Sequence, residues 1–196
     1  KKITKEGEKM RKKKRLLLLI TALLVVFFIS GCDNGKDGHA KVYNTYSNAD
    51  YAYKYPAEWI ATEDHEMLNI LQILTGDFYS SGSVAMDKTG NMGFLMICLD
   101  MGVVITKENL DEFMDAFIDS FKESNIYAVL KEDTYTTVDR KLARKVVLED
   151  PGQRSDIYGT YKGQKLYLIL CGYNKEEVEK APTELFAEMV ASIRLY

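Results

Sequence analysis

"MGFLMICLDM", residues 92–101, has no polar side chain between Met92 and Leu99. A strand with one face in water alternates apolar and polar residues, whereas this run must be covered above and below. "KLYLILCGY", residues 165–173, has the same character. Two such strands require amphipathic helices as cover, and three candidates are present. Leu110, Phe113, Met114, Phe117, Ile118 and Phe121 follow i, i+3, i+4, i+7, i+8, i+11, the stripe of a core-facing helix. Asn109 with Glu112 resembles a capping box at its start, with Thr106 as the alternative cap. In "TEDHEMLNILQILTG", residues 62–76, Thr62 is a candidate N-cap, Met67, Ile70, Leu71 and Leu74 share a face, and Gly76 closes the segment. A last helix begins near Pro182 and turns Leu185, Phe186, Met189, Val190 and Ile193 inward.

Further strands are expected at Tyr51–Pro56, in "SVAMDKTGN", and at roughly 127–135, 141–149 and 155–161. The tight turns "DKTGN" and "YKGQK" join antiparallel neighbours, since parallel ones need long crossovers. The expected class is α+β: an antiparallel β-sheet flanked by helices on both faces, an α/β/α sandwich.

The N-terminus is organised differently. "MRKKKR" (10–15) is a positive n-region and "LLLLITALLVVFFI" (16–29) an apolar h-region. A span needs about 20 apolar residues, so this run is short for one and suited to a signal peptide. Met10 is the expected translation start, and an uncleaved N-terminal anchor is the alternative. "ISGC" (Ile29, Ser30, Gly31, Cys32) resembles the lipobox of bacterial lipoproteins. The resemblance implies a diacylglyceryl group on the Cys32 thiol, cleavage before it, and further acylation such as palmitate. Two acyl chains hold a protein on a membrane where one does not. The expected organisation is a signal peptide at 1–31, the lipidated Cys32 and a flexible tether at 32–46, and a globular domain at 47–196. The location this implies is the extracytoplasmic face of the cell membrane.

Residues 1–31 hold nine of the 26 basic residues and two acids, leaving 17 basic against 27 acidic residues from Asp33 onward. A body that acidic repels phosphate backbones, so nucleic acid is excluded as a partner class. Cys98 and Cys171 lie inside apolar runs and read as small buried hydrophobes, with a disulfide as the alternative an exported location permits.

Candidate chemistry is sparse. "DKTGN" (87–91) nearly matches a phosphorylation motif built on Asp87, but the nucleotide domain that chemistry needs has no room here, and a turn accounts for the residues. His39 falls in the tether. His65 sits among Glu63, Asp64 and Glu66 without HExxH spacing. "SSGS" (80–83) has no nucleophile-elbow pattern and reads as a loop. No calcium-loop spacing occurs, and no cofactor, metal ligand set or catalytic residue is assigned. Thirteen tyrosines read as half-buried strand residues rather than stacking platforms, and Trp59 as a residue that seals the core.

"YSNADYAYKYPAEW" (46–59) resembles the opening of PsbP-like domains: an aromatic strand, then Tyr55-Pro56, then Trp59. The order of later elements fits too, through the hairpin at "YKGQKLYLIL" to the closing "ASIRLY". The resemblance implies an α/β/α sandwich that works by binding, a fold shared with a Ran-binding nuclear import factor and several bacterial lipoproteins. PsbP itself is an extrinsic photosystem II subunit, and that role is not transferred. PsbP-type proteins are linked to ion retention, without a ligand set matched here. The expected function is a non-catalytic binding or accessory domain, serving an envelope protein complex or a small ligand. The alternative is an envelope hydrolase built on His65 and neighbouring carboxylates.

Overall fold

A computed structural model describes residues 42–178 and 180–196. Two antiparallel sheets form. The larger has seven strands in the order β3 (Ile60–Thr62), β4 (Tyr79–Met86), β5 (Met92–Asp100), β9 (Lys165–Asn174), β8 (Gln153–Lys162), β7 (Lys141–Glu149), β6 (Val129–Val138). The smaller has three, in the order β1 (Tyr43–Ser47), β2 (Tyr51–Pro56), β10 (Arg194–Leu195). The helices are α1 (Glu66–Thr75), α2 (Lys107–Ser124) and α3 (Thr183–Ala191). The α+β class and the antiparallel pairing are those expected from the turns.

The two fully apolar runs become β5 and β9, paired at the centre of the large sheet. One face of that sheet packs on α1 and α2. Leu68 and Leu71 of α1 and Leu110, Met114, Phe117 and Phe121 of α2 meet Leu95, Ile97, Ile157, Leu168 and Leu170. Onto the other face pack the small sheet and α3, through Tyr51, Tyr53, Phe186, Met189 and Leu195 against Phe94, Met96, Tyr167 and Ile169. Strand Tyr51–Pro56 thus belongs to a second sheet rather than the main one. Its partner β10 has two residues, too few to carry a periodicity, so "SIRLY" read as the end of a helix.

Local chemistry corrects several expected boundaries. Among the described residues strand pairing starts at Tyr43, ahead of the Ser47 expected for the domain: residues 43–47 pair with β2 from Pro56 to Ala52. α1 begins at Glu66. His65 is its N-cap, its Nδ1 accepting from the Met67 N–H at 3.2 Å, while Thr62 ends β3 and its Oγ1 accepts from the Asp64 N–H. α2 is capped by Thr106, with Asn109 completing a capping box. "SSGS" is no loop but the interior of β4. Gly82 is needed there because a Cβ would stand 2.7 Å from Leu68 Cδ2 and 2.5 Å from the Tyr79 hydroxyl. "DKTGN" is the β4–β5 turn: the Asp87 carboxylate accepts from the Met92 N–H at 3.0 Å, and Gly90 takes φ 73°.

β6 runs to Val138, past the expected end at Tyr135, and meets β7 through a two-residue turn of Asp139 (φ 46°) and Arg140 (φ 62°). This is the conformation that suits the twist of a hairpin, and it is usually supplied by Asn-Gly or Asp-Gly. With arginine at the second position, the sequence carries no such signal.

Cys98 lies opposite Tyr167 and Cys171 opposite Phe94, so the two cysteines are four residues out of register on adjacent strands. That places them about 13 Å apart along the strands, too far for a disulfide. Both are buried free thiols. Burial pushes the Cys98 thiol up to about 12.

α2 packs on the sheet over Gly159 of β8. A Cβ there would lie 2.5 Å from Met114 Sδ and 3.1 Å from Leu110 Cδ1, both side chains being fully buried. Gly159→Ala is therefore expected to destabilise the protein by about 1–3 kcal/mol, read as a lower urea midpoint with unchanged slope.

Candidate functional site

Three sets of polar side chains are candidate sites. The first surrounds Asp50. In the β1–β2 connection, Asn48 Oδ1 accepts from the N–H groups of Asp50 (2.9 Å) and Tyr51 (3.0 Å), an Asx turn that aims the Asp50 carboxylate at the main sheet. There it accepts from Ser80 Oγ (2.8 Å), Ser81 Oγ (2.5 Å) and Lys165 Nζ (2.5 Å). The carboxylate is 6% exposed and the lysine side chain 32%. Serine, lysine and aspartate together resemble a hydrolytic set, but the charges are wrong for one. Burial acts most strongly on Asp50 and would raise its pKa. The hydrogen bonds from Lys165, Ser81 and Ser80 outweigh it and hold the carboxyl below its ordinary value. The hydrogen bond to Asp50 raises the Lys165 pKa, so the amine stays protonated and is no base for either serine.

The second set is the neighbourhood of His65. Its Nδ1 is committed to the helix cap, and Glu63 accepts a hydrogen bond from the Tyr46 hydroxyl. Glu66 begins the helix, where a carboxylate suits the dipole. This is a structural arrangement of the residues on which a hydrolase reading would depend. Trp59 packs edge-on against Phe186, ring centroids 6.4 Å apart, and is buried in the sealing position expected of it. Cys32 and His39 lie outside the described residues. Among the described residues, no group of three His, Cys, Asp or Glu side chains is placed to hold a metal ion.

The third set lies where β6 turns into β7 beside the C-terminal segment. A cleft of about 530 Å³ is lined by Thr137 of β6, by Asp139 and Arg140 of the turn, and by Val190, Ala191 and Arg194 from α3 and β10. Asp139 Oδ2 accepts from the Leu195 N–H at 2.9 Å, which joins the turn to β10 and shapes the cleft. Arg194 donates to the Ile193 carbonyl at 2.7 Å and keeps its side chain 61% exposed. No sequence pattern marked Arg140 or Arg194, because the cleft is assembled from two distant segments. The positive φ at Arg140 is its one local oddity.

Elsewhere several buried or half-buried basic side chains are paired with acids. Arg144 grips Asp133 through Nε (2.8 Å) and Nη2 (2.7 Å) and reaches Asp115 at 2.7 Å, pinning α2 to the β6–β7 hairpin. Lys145 pairs with Glu132, and Arg154 with Asp156 and Glu149.

No family model matches the chain, and no curated protein matches it. Among solved structures, cyanobacterial PsbP (CyanoP) from Synechocystis sp. PCC 6803 is similar over 86% of this chain and 99% of its own, with a TM-score of 0.57 and 14% identity. The fold is PsbP-like. A protein from Bacteroides thetaiotaomicron VPI-5482 is similar over 74% of this chain and 45% of its own, with 12% identity. Its TM-score of 0.45 is too low to carry an argument. At these identities the likeness concerns the fold alone and transfers no residue's role.

Asp50→Asn keeps the shape of the clamp and removes its charge. The expected cost is about 2 kcal/mol in urea titration, below the roughly 3–5 kcal/mol of a fully buried pair because Lys165 reaches water. The folded Asp50 carboxyl titrates below the ordinary value of about 3.9, so its contribution is present above about pH 4 and is lost as the pH falls through the lower folded value. The variant is accordingly expected to lose less stability than the native chain over that acid range.

Proposed function

We propose that this chain is a lipid-anchored accessory protein of the bacterial cell envelope, with a non-catalytic binding domain that serves an envelope protein complex or a small ligand. The observation that carries the reading is Ile29-Ser30-Gly31-Cys32, placed directly after a basic segment and a 14-residue apolar one. Cleavage before Cys32 leaves a lipidated first residue at the outer face of the cell membrane. From Cys32 to the start of β1 at Tyr43 there are eleven residue-to-residue steps, which span at most about 40 Å whatever their conformation. A domain so tethered works within that distance of the bilayer.

The PsbP-like fold supports the binding half of the reading, with the two-sided cover of the large sheet taken as the α/β/α sandwich of that scaffold. It is further supported by the way the reactive groups are used. The Asp50, Lys165 and His65 side chains hold elements together, which leaves binding surfaces rather than a nucleophile and base as the features to assign.

Cys32→Ser is expected to abolish incorporation of radiolabelled palmitate in a bacterial host and to leave the unprocessed precursor in the membrane fraction. Labelling at the native level, or release of a mature-sized chain, would refute the anchor.

A further inference from the structure

We propose that the cleft between the β6–β7 turn and the C-terminal segment binds a phosphate ester, with Arg140 and Arg194 holding its oxyanion. The proposal deepens the binding reading above by naming a ligand class, and it does not depend on lipidation.

Arg140 of the turn and Arg194 of β10 line this cleft, and the one acidic residue lining it is Asp139. That carboxylate is committed through Oδ2 to the Leu195 N–H, and its Oδ1 stands 3.9 Å from Arg194 Nη1, beyond hydrogen-bond range. Among the described residues, no carboxylate lies within 4.0 Å of the Arg140 guanidinium. This contrasts with Arg144, Lys145, Arg154 and Lys165, each matched by one or more acids at 2.5–2.9 Å. In a body with 27 acids against 17 bases, an undermatched pair of arginines on one cleft is a local excess of positive charge.

Arg140 takes its left-handed conformation because the two-residue β6–β7 turn requires one there. The Asp139–Leu195 hydrogen bond holds that turn against β10 and so sets Arg140 and Arg194 on one cleft.

The cleft volume of about 530 Å³ falls among small-molecule sites, which run from roughly 300 to 1,000 Å³. A carboxylate has two oxygens and is satisfied by one guanidinium fork. The Arg140 fork, the Arg194 donors not used by the Ile193 carbonyl and the Thr137 hydroxyl together suit the three terminal oxygens of a phosphate monoester. Val190 and Ala191 supply an apolar wall, so the oxyanion is expected to carry an organic group. That ester could be free in solution or be the headgroup of an anionic phospholipid. The chemistry at the arginines is shared.

The test uses the full chain in nonionic detergent, followed by NMR at the backbone amides of Thr137, Arg140, Val190 and Arg194. One arm titrates glycerol phosphate, with acetate as a competitor, and the other dopes the micelles with phosphatidylglycerol. Saturable shifts at these amides are expected in at least one arm, weakened at least tenfold by Arg140→Gln and by Arg194→Gln. Lys141→Gln, which removes a neighbouring exposed cation that does not line the cleft, is expected to leave binding unchanged. Shifts with glycerol phosphate identify a soluble ester, and shifts with phosphatidylglycerol alone identify a lipid headgroup. The proposal is overturned if neither probe produces arginine-dependent shifts, if acetate binds as tightly as the phosphate, or if Lys141→Gln weakens binding as much as Arg140→Gln. Arg140 makes no side-chain hydrogen bond among the described residues, so its variant stays informative if Arg194→Gln disturbs β10.

Discussion

The Asp50 carboxylate is the point on which the second layer of this fold depends. An isolated charge at that depth would be strongly unfavourable, and it is tolerated because three donors surround it. Those donors come from β4 and β9, while Asp50 itself sits between β1 and β2. Its backbone carbonyl also accepts from the Tyr196 N–H at 2.8 Å. One residue therefore joins the N-terminal hairpin, two strands of the main sheet and the end of the chain. Hydrophobic burial packs the small sheet onto the large one, but burial is non-directional. The clamp fixes where the small sheet sits.

The neighbouring tyrosines extend that registration. The Tyr51 and Tyr53 hydroxyls meet Ser83 Oγ at 2.9 and 3.2 Å, and Tyr51 also donates to the Met96 carbonyl at 3.1 Å. These buried hydroxyls are paired within the layer between the two sheets, so the aromatic strand seals this side of the core with each polar tip satisfied. The serines of "SSGS" thus have a shared task. Ser80 and Ser81 receive Asp50, Ser83 receives the tyrosines, and Gly82 lets Leu68 of α1 approach from the opposite face. In the sequence the same four residues read as a loop, since the side-chain partners of the three serines are 30 or more positions away.

The positioning of the cleft follows from this arrangement. β10 pairs with β2 through Arg194↔Ala52 and Leu195↔Tyr51, and the clamp fixes β2. The Asp139 carboxylate then ties the β6–β7 turn to Leu195. Arg140 and Arg194 come together through three successive links, none of them local in sequence. Two arginines on one cleft place basic residues together on a body that otherwise carries an excess of acids.

Much of the fold was legible in the residues. β5 and β9 announced themselves as strands covered on both sides, because continuous apolar runs between turns have few other solutions. α2 was fixed by its 3.6-residue period, and the antiparallel order by "DKTGN" and "YKGQK". Trp59 as a core residue and the tyrosines as strand residues followed from their chemistry. The residues behind the proposed lipid anchor are equally local, since the basic segment, the apolar segment and Ile29-Ser30-Gly31-Cys32 are contiguous. What the tertiary structure alone decided is everything that depends on pairing across distance. The second sheet needed β10, whose two residues have no period. The Asp50 clamp needed partners at positions 80, 81 and 165, and the cleft needed arginines 54 positions apart. Periodicity reports how a segment divides its own faces, and it is silent about which distant group a buried carboxylate or an exposed arginine will meet.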